Sequence, residues 1–131
     1  MASEIASTIK SHKSGHSLTI TGHSLGGGIA AIASTSLAEQ FGTVSTYTFG
    51  EPRNGDAAFA KYVTGLVPDS HYFRTTHHND GVPQIPPEHL GFVHHGPEYW
   101  QKAGDKNDAS STLECGNNST VSGLCLDAWF N

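Results

Sequence analysis

Apolar positions along the chain switch between helical and strand spacing, and the switches predict a repeated strand–helix pattern. Helical spacing predicts helices at residues 2–13, 25–41 and 56–66. Apolar and β-branched runs of strand length lie between them, at residues 17–21, 44–50 and 71–76. Gly42 stands where a helix commonly ends. Because strands that alternate with helices form βαβ units, the pattern predicts an α/β fold: a mostly parallel sheet with flanking helices.

The periodicity weakens after the third predicted strand. Residues 77–87 are a Pro-rich loop, which Pro83, Pro86 and Pro87 should stiffen. Short strands are predicted within residues 90–100, and an irregular C-terminal hairpin or loop over residues 101–125. The 131 residues suit one domain, and we see no internal repeat or low-complexity linker. The prediction is therefore a single domain over residues 1–131.

Charge and hydropathy exclude several classes of partner. The net charge is −5, with only 7 basic residues, so binding to nucleic acid or to an anionic membrane is not expected. No apolar run reaches the length of a membrane span, and the chain does not open on a signal peptide pattern. We expect no stable membrane anchor.

The stretch from Gly22 to Gly26, GHSLG, has the spacing G-x-S-x-G between a predicted strand and a predicted helix. In such a turn the small glycines leave room for a strained backbone that projects a serine hydroxyl into a cleft. The following helix directs its positive end towards a developing negative charge. Ser24 is therefore predicted as a nucleophile, with the Leu25 amide as an oxyanion donor. The alternative is an ordinary turn serine in a tight strand-to-helix connection.

An activated serine needs a base, and the base needs an orienting acid. Asp80 follows the third predicted strand, as Ser24 follows the first, so both should lie on the same rim of a parallel sheet. Asp80 is the predicted acid, although NDG is also a good turn sequence. Asp56 is a weaker candidate, because its position is that of a helix N-cap.

Four ordered motifs over roughly residues 1–100, TGHSLGGGIA, YTFGEPRNGDAAFA, YFRTTHHNDGVPQIPP and GFVHHGPEYW, resemble the fungal class 3 lipases and their feruloyl esterase relatives. The resemblance implies a partial α/β-hydrolase fold. It also implies hydrolysis of lipid or aryl carboxylic esters through an acyl-enzyme, with no cofactor. Matched motif by motif, it assigns Ser24 as the nucleophile and Asp80 as the acid. The glycine-flanked turn is shared by both branches, so lipase and feruloyl esterase specificity stay open.

The same resemblance implies that parts of the family site lie elsewhere. The family's catalytic histidine, in a pattern like H-x-x-Y-F, would fall just past Asn131, so no catalytic histidine is assigned in this chain. The family's N-terminal half, with its lid and second oxyanion donor, has no counterpart here. The match is thus to the C-terminal portion of the family.

Five histidines are candidates for a substitute base, namely His23, His77, His78, His94 and His95. The family pattern directs His23 away from the nucleophile and gives His94 another role, and His95 is an extra neighbour of His94. His77 and His78 lie near Asp80 on the same loop, so either could act as an accidental base, although none of the five is favoured as an efficient one. A metal site is not favoured either, since adjacent histidines on a strand point to opposite faces.

Cys115 and Cys125 flank a Gly- and Asn-containing segment, and they either close a small disulfide loop or stay free thiols. Two overlapping N-glycosylation acceptors, at Asn117 and Asn118, lie inside the segment. The combination favours an oxidising, secreted context. The cysteine pair also resembles a hairpin pair of the feruloyl esterases, which supports secretion of the parent protein.

Two functions of different class follow. The first is a serine carboxylic ester hydrolase of the fungal lipase type. The second is a catalytically silent truncated chain or an ester-binding module without enzymatic activity. The resemblance also implies that the EPR sequence at Glu51–Arg53 forms a structural corner, in which Arg53 either pairs with an acidic neighbour or lies in a solvated turn.

Overall fold

The computed structural model of the chain describes residues 2–12, 17–105, 108–116 and 125. Its helices and strands are, in chain order, α1 (Ala2–Ser11), β1 (Leu18–His23), α2 (Leu25–Phe41), β2 (Val44–Phe49), α3 (Ala57–Leu66), β3 (Tyr72–His77), β4 (Glu98–Gln101) and β5 (Thr112–Cys115). Short 3₁₀ turns add Asp69–His71, Val82–Gln84, Glu88–Leu90 and Ala109–Ser111. Over the described part of the chain, no helix has the length and apolarity that a bilayer crossing requires.

The strands form one five-stranded sheet in the order β1-β2-β3-β4-β5. β1, β2, β3 and β4 run parallel to one another, and β5 pairs antiparallel to β4. His23 at the end of β1 pairs with Phe49 at the end of β2, so both strands end at the same rim. The predicted α/β fold with a mostly parallel sheet is confirmed.

The apolar core lies between one face of the sheet and the helices α2 and α3. Its buried members come from both layers: Ala31, Ala38, Val44, Val63, Val67 and Tyr72. The buried face of α2 carries glycine, alanine, serine and threonine rather than large residues, which brings the helix axis close to the strands. Leu25, Ile29 and Ile32 lie on its exposed face.

The sequence-based boundaries differ from the structure mainly where strand pairing decides them. β1 continues through Gly22 and His23, because both residues pair with the end of β2. Within residues 90–100 the strand begins only at Glu98, and Val93 makes an isolated bridge to Gly55. The segment predicted as an irregular hairpin or loop contains β5, which pairs antiparallel with β4, in agreement with the predicted hairpin.

Candidate active site

Ser24 occupies a strained turn between β1 and α2. Its backbone angles are φ 54° and ψ −128°, a region that residues with a side chain rarely adopt. The Ser24 N–H donates to the Phe49 carbonyl oxygen (2.9 Å), which anchors the turn to the end of β2. A Cβ on Gly22 would overlap the carbonyl oxygen of Gly26, so the turn requires glycine there. Strain of this kind is typical of functional sites and costs about 1–3 kcal/mol.

Leu25 is the first residue of α2, and its side chain is 73% exposed. The first N–H groups of a helix have no acceptor within the helix, because their partners would precede it. The Ser24 carbonyl accepts from Gly27 N–H at 2.8 Å and closes the first turn. The Leu25 N–H therefore lies at the positive end of the helix, beside the Ser24 side chain.

Asp80 lies in a compact turn after β3. Its N–H donates to the His77 carbonyl oxygen (3.0 Å), and its Oδ1 accepts from Val82 N–H (3.0 Å). Its Oδ2 lies 2.9 Å from the position that a Cβ on Gly50 would take. Gly50 directly follows Phe49, the residue that holds Ser24. Ser24 and Asp80 therefore lie on either side of the end of β2, on the rim where the sequence predicted them.

A pocket of about 320 Å³ opens beside Asp80 at this rim. Its walls are His23, Phe49, Gly50, Thr75, Thr76, His77, Asp80 and Gln101. An imidazole ring is much smaller than this volume, so the pocket has room for a base next to Asp80. Ser24 is not among the residues that line it, but its neighbour His23 is.

The five candidate histidine bases have different environments. His94 Nε2 contacts the Pro83 carbonyl oxygen (2.7 Å), and His78 Nδ1 lies 3.2 Å from the Lys102 carbonyl oxygen. His95 is buried, and burial lowers its pKa to about 3. His23 and His77 line the pocket that contains Asp80. These two are the histidines of the described chain that share a cavity with the acid.

Beneath the rim lies a buried polar cluster that the sequence analysis did not anticipate. The Glu51 side chain is fully buried and accepts from Thr48 (2.6 Å), Asn54 (2.7 Å) and Tyr72 (2.9 Å). Burial raises the pKa of Glu51 to about 7, although those hydrogen bonds and the Arg74 charge favour the carboxylate. His95 Nε2 lies 3.3 Å from Glu51 Oε1. With its pKa lowered by burial, His95 is neutral there, so the contact is not an ion pair.

The cluster extends along the covered face of the sheet. Arg74 and Glu98 are opposite one another in the β3–β4 register, with 3.9 Å between Nη1 and Oε1, and both are buried. Thr76 Oγ1 also donates to Glu98 Oε1 (2.6 Å). The available signal is the period-two spacing of Thr46 and Thr48 in β2 and of Arg74 and Thr76 in β3, which resembles that of a solvated face. Only the folded structure shows that these residues are buried.

Arg53 is buried rather than solvated, and it pairs with an acidic neighbour. Its Nη2 lies 3.1 Å from Glu88 Oε1, and its Nη1 donates to the Gln84 carbonyl oxygen at 2.6 Å. Asp56 caps α3 by accepting from Phe59 N–H (2.9 Å), as its position predicted.

Cys115 and Cys125 form a disulfide, which packs with Trp100 at the antiparallel edge of the sheet. Glu98 lies close to both sulfur atoms, and this is the one group of three candidate metal ligands within the described residues. Disulfide sulfurs have no thiolate to offer a metal. Asn117 and Asn118, the predicted glycosylation acceptors, lie outside the described residues.

Comparison with known proteins agrees with this arrangement. Residues 1–90 match the model of the family Lipase (class 3). The chain is 42% identical over 86 residues to the secreted mono- and diacylglycerol lipase A of Penicillium cyclopium, covering 65% of this chain and 27% of that protein. It is 39% identical over 97 residues to the secreted mono- and diacylglycerol lipase 1 of Fusarium solani, covering 72% of this chain and 28% of that protein.

Solved structures show the same likeness over nearly the whole chain. A mutant form of MDLA from Penicillium cyclopium superposes with a TM-score of 0.84 at 30% identity, covering 98% of this chain and 46% of that chain. A second structure, described by the words "An unusual buried polar cluster in a family of fungal lipases", superposes with a TM-score of 0.82 at 30% identity and with the same coverage. The chain thus spans about a quarter of the curated relatives and less than half of these structures. The chain belongs to the class 3 lipase family.

Proposed function

We propose that this chain carries the nucleophile, the acid and one oxyanion donor of a serine carboxylic ester hydrolase. The observation that carries the proposal is the strained backbone of Ser24 at the start of α2, with Asp80 across the end of β2. An ordinary turn serine has no need of a strained φ, of an obligate glycine two residues before it, and of a carboxylate on the same rim.

In the proposed reaction, Ser24 Oγ attacks the ester carbonyl carbon while an imidazole takes its proton. Asp80 orients that imidazole and stabilises its charged form. The Leu25 N–H donates to the oxyanion of the tetrahedral intermediate. The C–O bond to the alcohol then breaks, and the leaving alkoxide takes the proton from the imidazolium. Water then takes the place of the alcohol: the imidazole takes a proton from it, its oxygen attacks the acyl carbon, and the bond to Ser24 Oγ breaks as Oγ takes the proton back.

The base is a histidine outside the residues described, and the pocket beside Asp80 is where its ring enters. His94 and His95 are each held in other contacts, away from this role. Loss of the base from such a triad costs several orders of magnitude in rate. The chain by itself should therefore have little turnover, and ester binding without catalysis is the second candidate function.

The substrate we propose is a glycerolipid ester. The relatives in Penicillium and Fusarium are named mono- and diacylglycerol lipases, and the one in Rhizomucor miehei is named a lipase. Aryl esters of the feruloyl type are the alternative. Hydrolysis of diolein against ethyl ferulate, in a chain supplied with a base, distinguishes the two.

Reaction with a p-nitrophenyl alkylphosphonate tests the site without requiring complete turnover. Ser24 Oγ forms a bond to phosphorus, p-nitrophenolate leaves, and peptide mapping locates the added mass. We expect slow labelling of Ser24 that free imidazole accelerates, no labelling in Ser24→Ala, and no acceleration in Asp80→Asn. Absence of Ser24 labelling with and without imidazole would overturn the proposal. Fast labelling without imidazole would instead assign the base to His23 or His77.

We also propose that the protein is secreted, since two of the relatives carry that word in their names and a disulfide persists in oxidising compartments. Glycosylation at Asn117 or Asn118 belongs to the same proposal. Secretion of the chain from a yeast host behind a heterologous leader, followed by intact mass with and without glycosidase, tests it. A mass without glycan would remove the glycosylation part.

A further inference from the structure

The four residues from Glu51 to Asn54 follow β2 after Gly50 and take no part in the proposed chemistry. Even so, two of them are buried charged residues: Glu51 is 0% exposed and Arg53 is 3% exposed. Burial of such groups costs several kcal/mol unless they are paired, so the partners that they contact are needed to keep them in place. Those contacts run in two directions, one towards Ser24 and the other towards the loop of Asp80.

One side of the turn supports the first turn of α2. A Cβ placed on Gly27 would lie 3.1 Å from Glu51 Cβ, and a Cβ on Gly28 would lie 2.5 Å from Asn54 Oδ1. Both helix residues are buried against the turn. The helix therefore lies directly on Glu51 and Asn54, and the Ser24–Leu25 corner is its first turn.

Glu51 and Asn54 are themselves held in place by hydrogen bonds to each other and to the sheet. Asn54 Nδ2 donates to Glu51 Oε1, and Thr48 and Tyr72 donate to Glu51 Oε2. Thr48 belongs to β2 and Tyr72 to β3, so the support is tied to two strands of the sheet. Movement of the helix start would require displacement of this network.

The other side of the turn holds the segment after Asp80. Arg53 N–H donates to the Ile85 carbonyl oxygen (2.9 Å), and Arg53 Nη1 donates to the carbonyl oxygens of Gln84 (2.6 Å) and Pro86 (3.3 Å). A planar guanidinium that bridges several acceptors fixes the orientation of the loop as well as its distance. The loop leads back to Asp80, whose Oδ1 accepts from Val82 N–H.

We propose that the turn from Glu51 to Asn54 sets the separation of Ser24 and Asp80. Asn54 and Glu51 are positioning residues for the nucleophile corner, and Arg53 is the positioning residue for the acid. This inference rests on the proposed function for the meaning of that separation. The contacts themselves are independent of it, so one arm of the test requires no catalysis.

The first arm probes the helix side by backbone NMR of the full chain. Gly28→Ala adds a methyl group against Asn54, whereas Gly65→Ala adds one to α3 where nothing lies within 4 Å. We expect Gly28→Ala to shift the Ser24 and Leu25 amide resonances, and Gly65→Ala to leave them in place. In an Asn54→Ala background the shift caused by Gly28→Ala should shrink. Unchanged Ser24 and Leu25 amides in Gly28→Ala, or an undiminished shift in the double variant, would overturn the helix part.

The second arm probes the loop side by phosphonylation of Ser24 with and without imidazole. Arg53→Lys keeps the positive charge but loses the planar guanidinium that bridges several acceptors. We expect the imidazole-supported rate to fall about ten- to a hundredfold. The rate without imidazole should stay unchanged, and the effect should vanish in an Asp80→Asn background. Glu88→Gln is the matched control, because it removes the charge from one exposed partner of Arg53 and keeps the carbonyl contacts; it should cost much less.

If Arg53→Lys lowered the phosphonylation rate equally in the wild-type and Asp80→Asn backgrounds, Arg53 would have a general structural role. That result would overturn the loop part of the proposal. Thermal unfolding of each variant excludes global loss of the fold as the cause. If the unmodified chain is not labelled at all, the proposed function fails, and the NMR arm still decides whether the turn positions the Ser24 corner.

Discussion

The carboxylate of Asp80 occupies the space that a side chain at position 50 would fill. Asp80 Oδ2 lies 2.9 Å from the position of a Cβ on Gly50, and Gly50 has a φ of 59°. The Gly50 N–H also donates to the Thr75 carbonyl oxygen (2.9 Å), which ties this residue to β3. Glycine is therefore favoured at position 50 for two reasons. The backbone between β2 and the Glu51–Asn54 turn has a left-handed φ there, and the Asp80 carboxylate takes the space of a Cβ.

Gly50→Ala should destabilise the chain and displace Asp80. A left-handed φ costs an alanine roughly 1–2 kcal/mol, and the contact with Oδ2 adds to that cost. We expect a lower midpoint of urea unfolding and loss of imidazole acceleration in Ser24 phosphonylation. Gly81→Ala, with open space around the added methyl group, should change the midpoint much less. Equal midpoints for the two variants would contradict this account.

Gly22→Ala should be more damaging than Gly26→Ala. At Gly22 an added Cβ overlaps the Gly26 carbonyl oxygen, whereas at Gly26 it meets nothing within 4 Å. The overlap should cost about 1–3 kcal/mol, as overpacking of a tight site commonly does. Gly26→Ala should keep or slightly raise stability, because alanine favours the helix by about 1 kcal/mol. Denaturant unfolding of both variants measures the difference, and reversal of their order would refute it.

Glu51→Gln should remove a pH dependence of stability. The pKa of Glu51 rises from 4.5 to about 7 on folding, so below pH 4.5 the carboxyl is protonated in both states. Between these values the unfolded state loses the proton first, and stability falls as the pH rises until it levels off above about pH 7. The loss is at most about 3 kcal/mol.

The measurement is urea unfolding of the wild-type chain and of Glu51→Gln across that pH range. The free energy of unfolding of the wild type, relative to the variant, should decrease with rising pH. Glu88→Gln, which alters a carboxyl on the surface, serves as the control. A relative stability that stays flat or increases with pH would show that Glu51 is ionised throughout.

Reduction of the disulfide should destabilise the antiparallel edge of the sheet. Cys115 and Cys125 are 10 residues apart, and closing a loop of that size stabilises by about 2–3 kcal/mol in the chain-entropy account. We expect a lower Tm for the reduced chain and for the Cys115→Ser/Cys125→Ser variant. The variant should not respond further to reductant. An unchanged Tm would place the disulfide outside the cooperative unit.

Much of the architecture follows from local sequence. The helix and strand order, the α3 cap at Asp56 and the Ser24 corner depend on residue spacing and on steric limits within a few residues. The spacing of Gly22, Ser24 and Gly26 predicts a strained corner, and the structure requires glycine at position 22 but leaves open space at position 26. Asp80 was predicted on the same rim because parallel strands end together.

The tertiary structure decided what depends on distant partners. Thr48, Arg74 and Glu98 are polar residues of three different strands, and only the folded chain buries them. From the sequence alone Arg53 could be a solvated turn residue. In the structure it is held by carbonyl acceptors that are more than thirty positions away along the chain. β5 is only four residues long, and its bounds are set by its pairing with β4. Steric limits within a turn can be predicted from neighbouring residues in the sequence. Burial, strand pairing and pKa shifts depend on residues that are distant in the sequence and meet only in the folded chain.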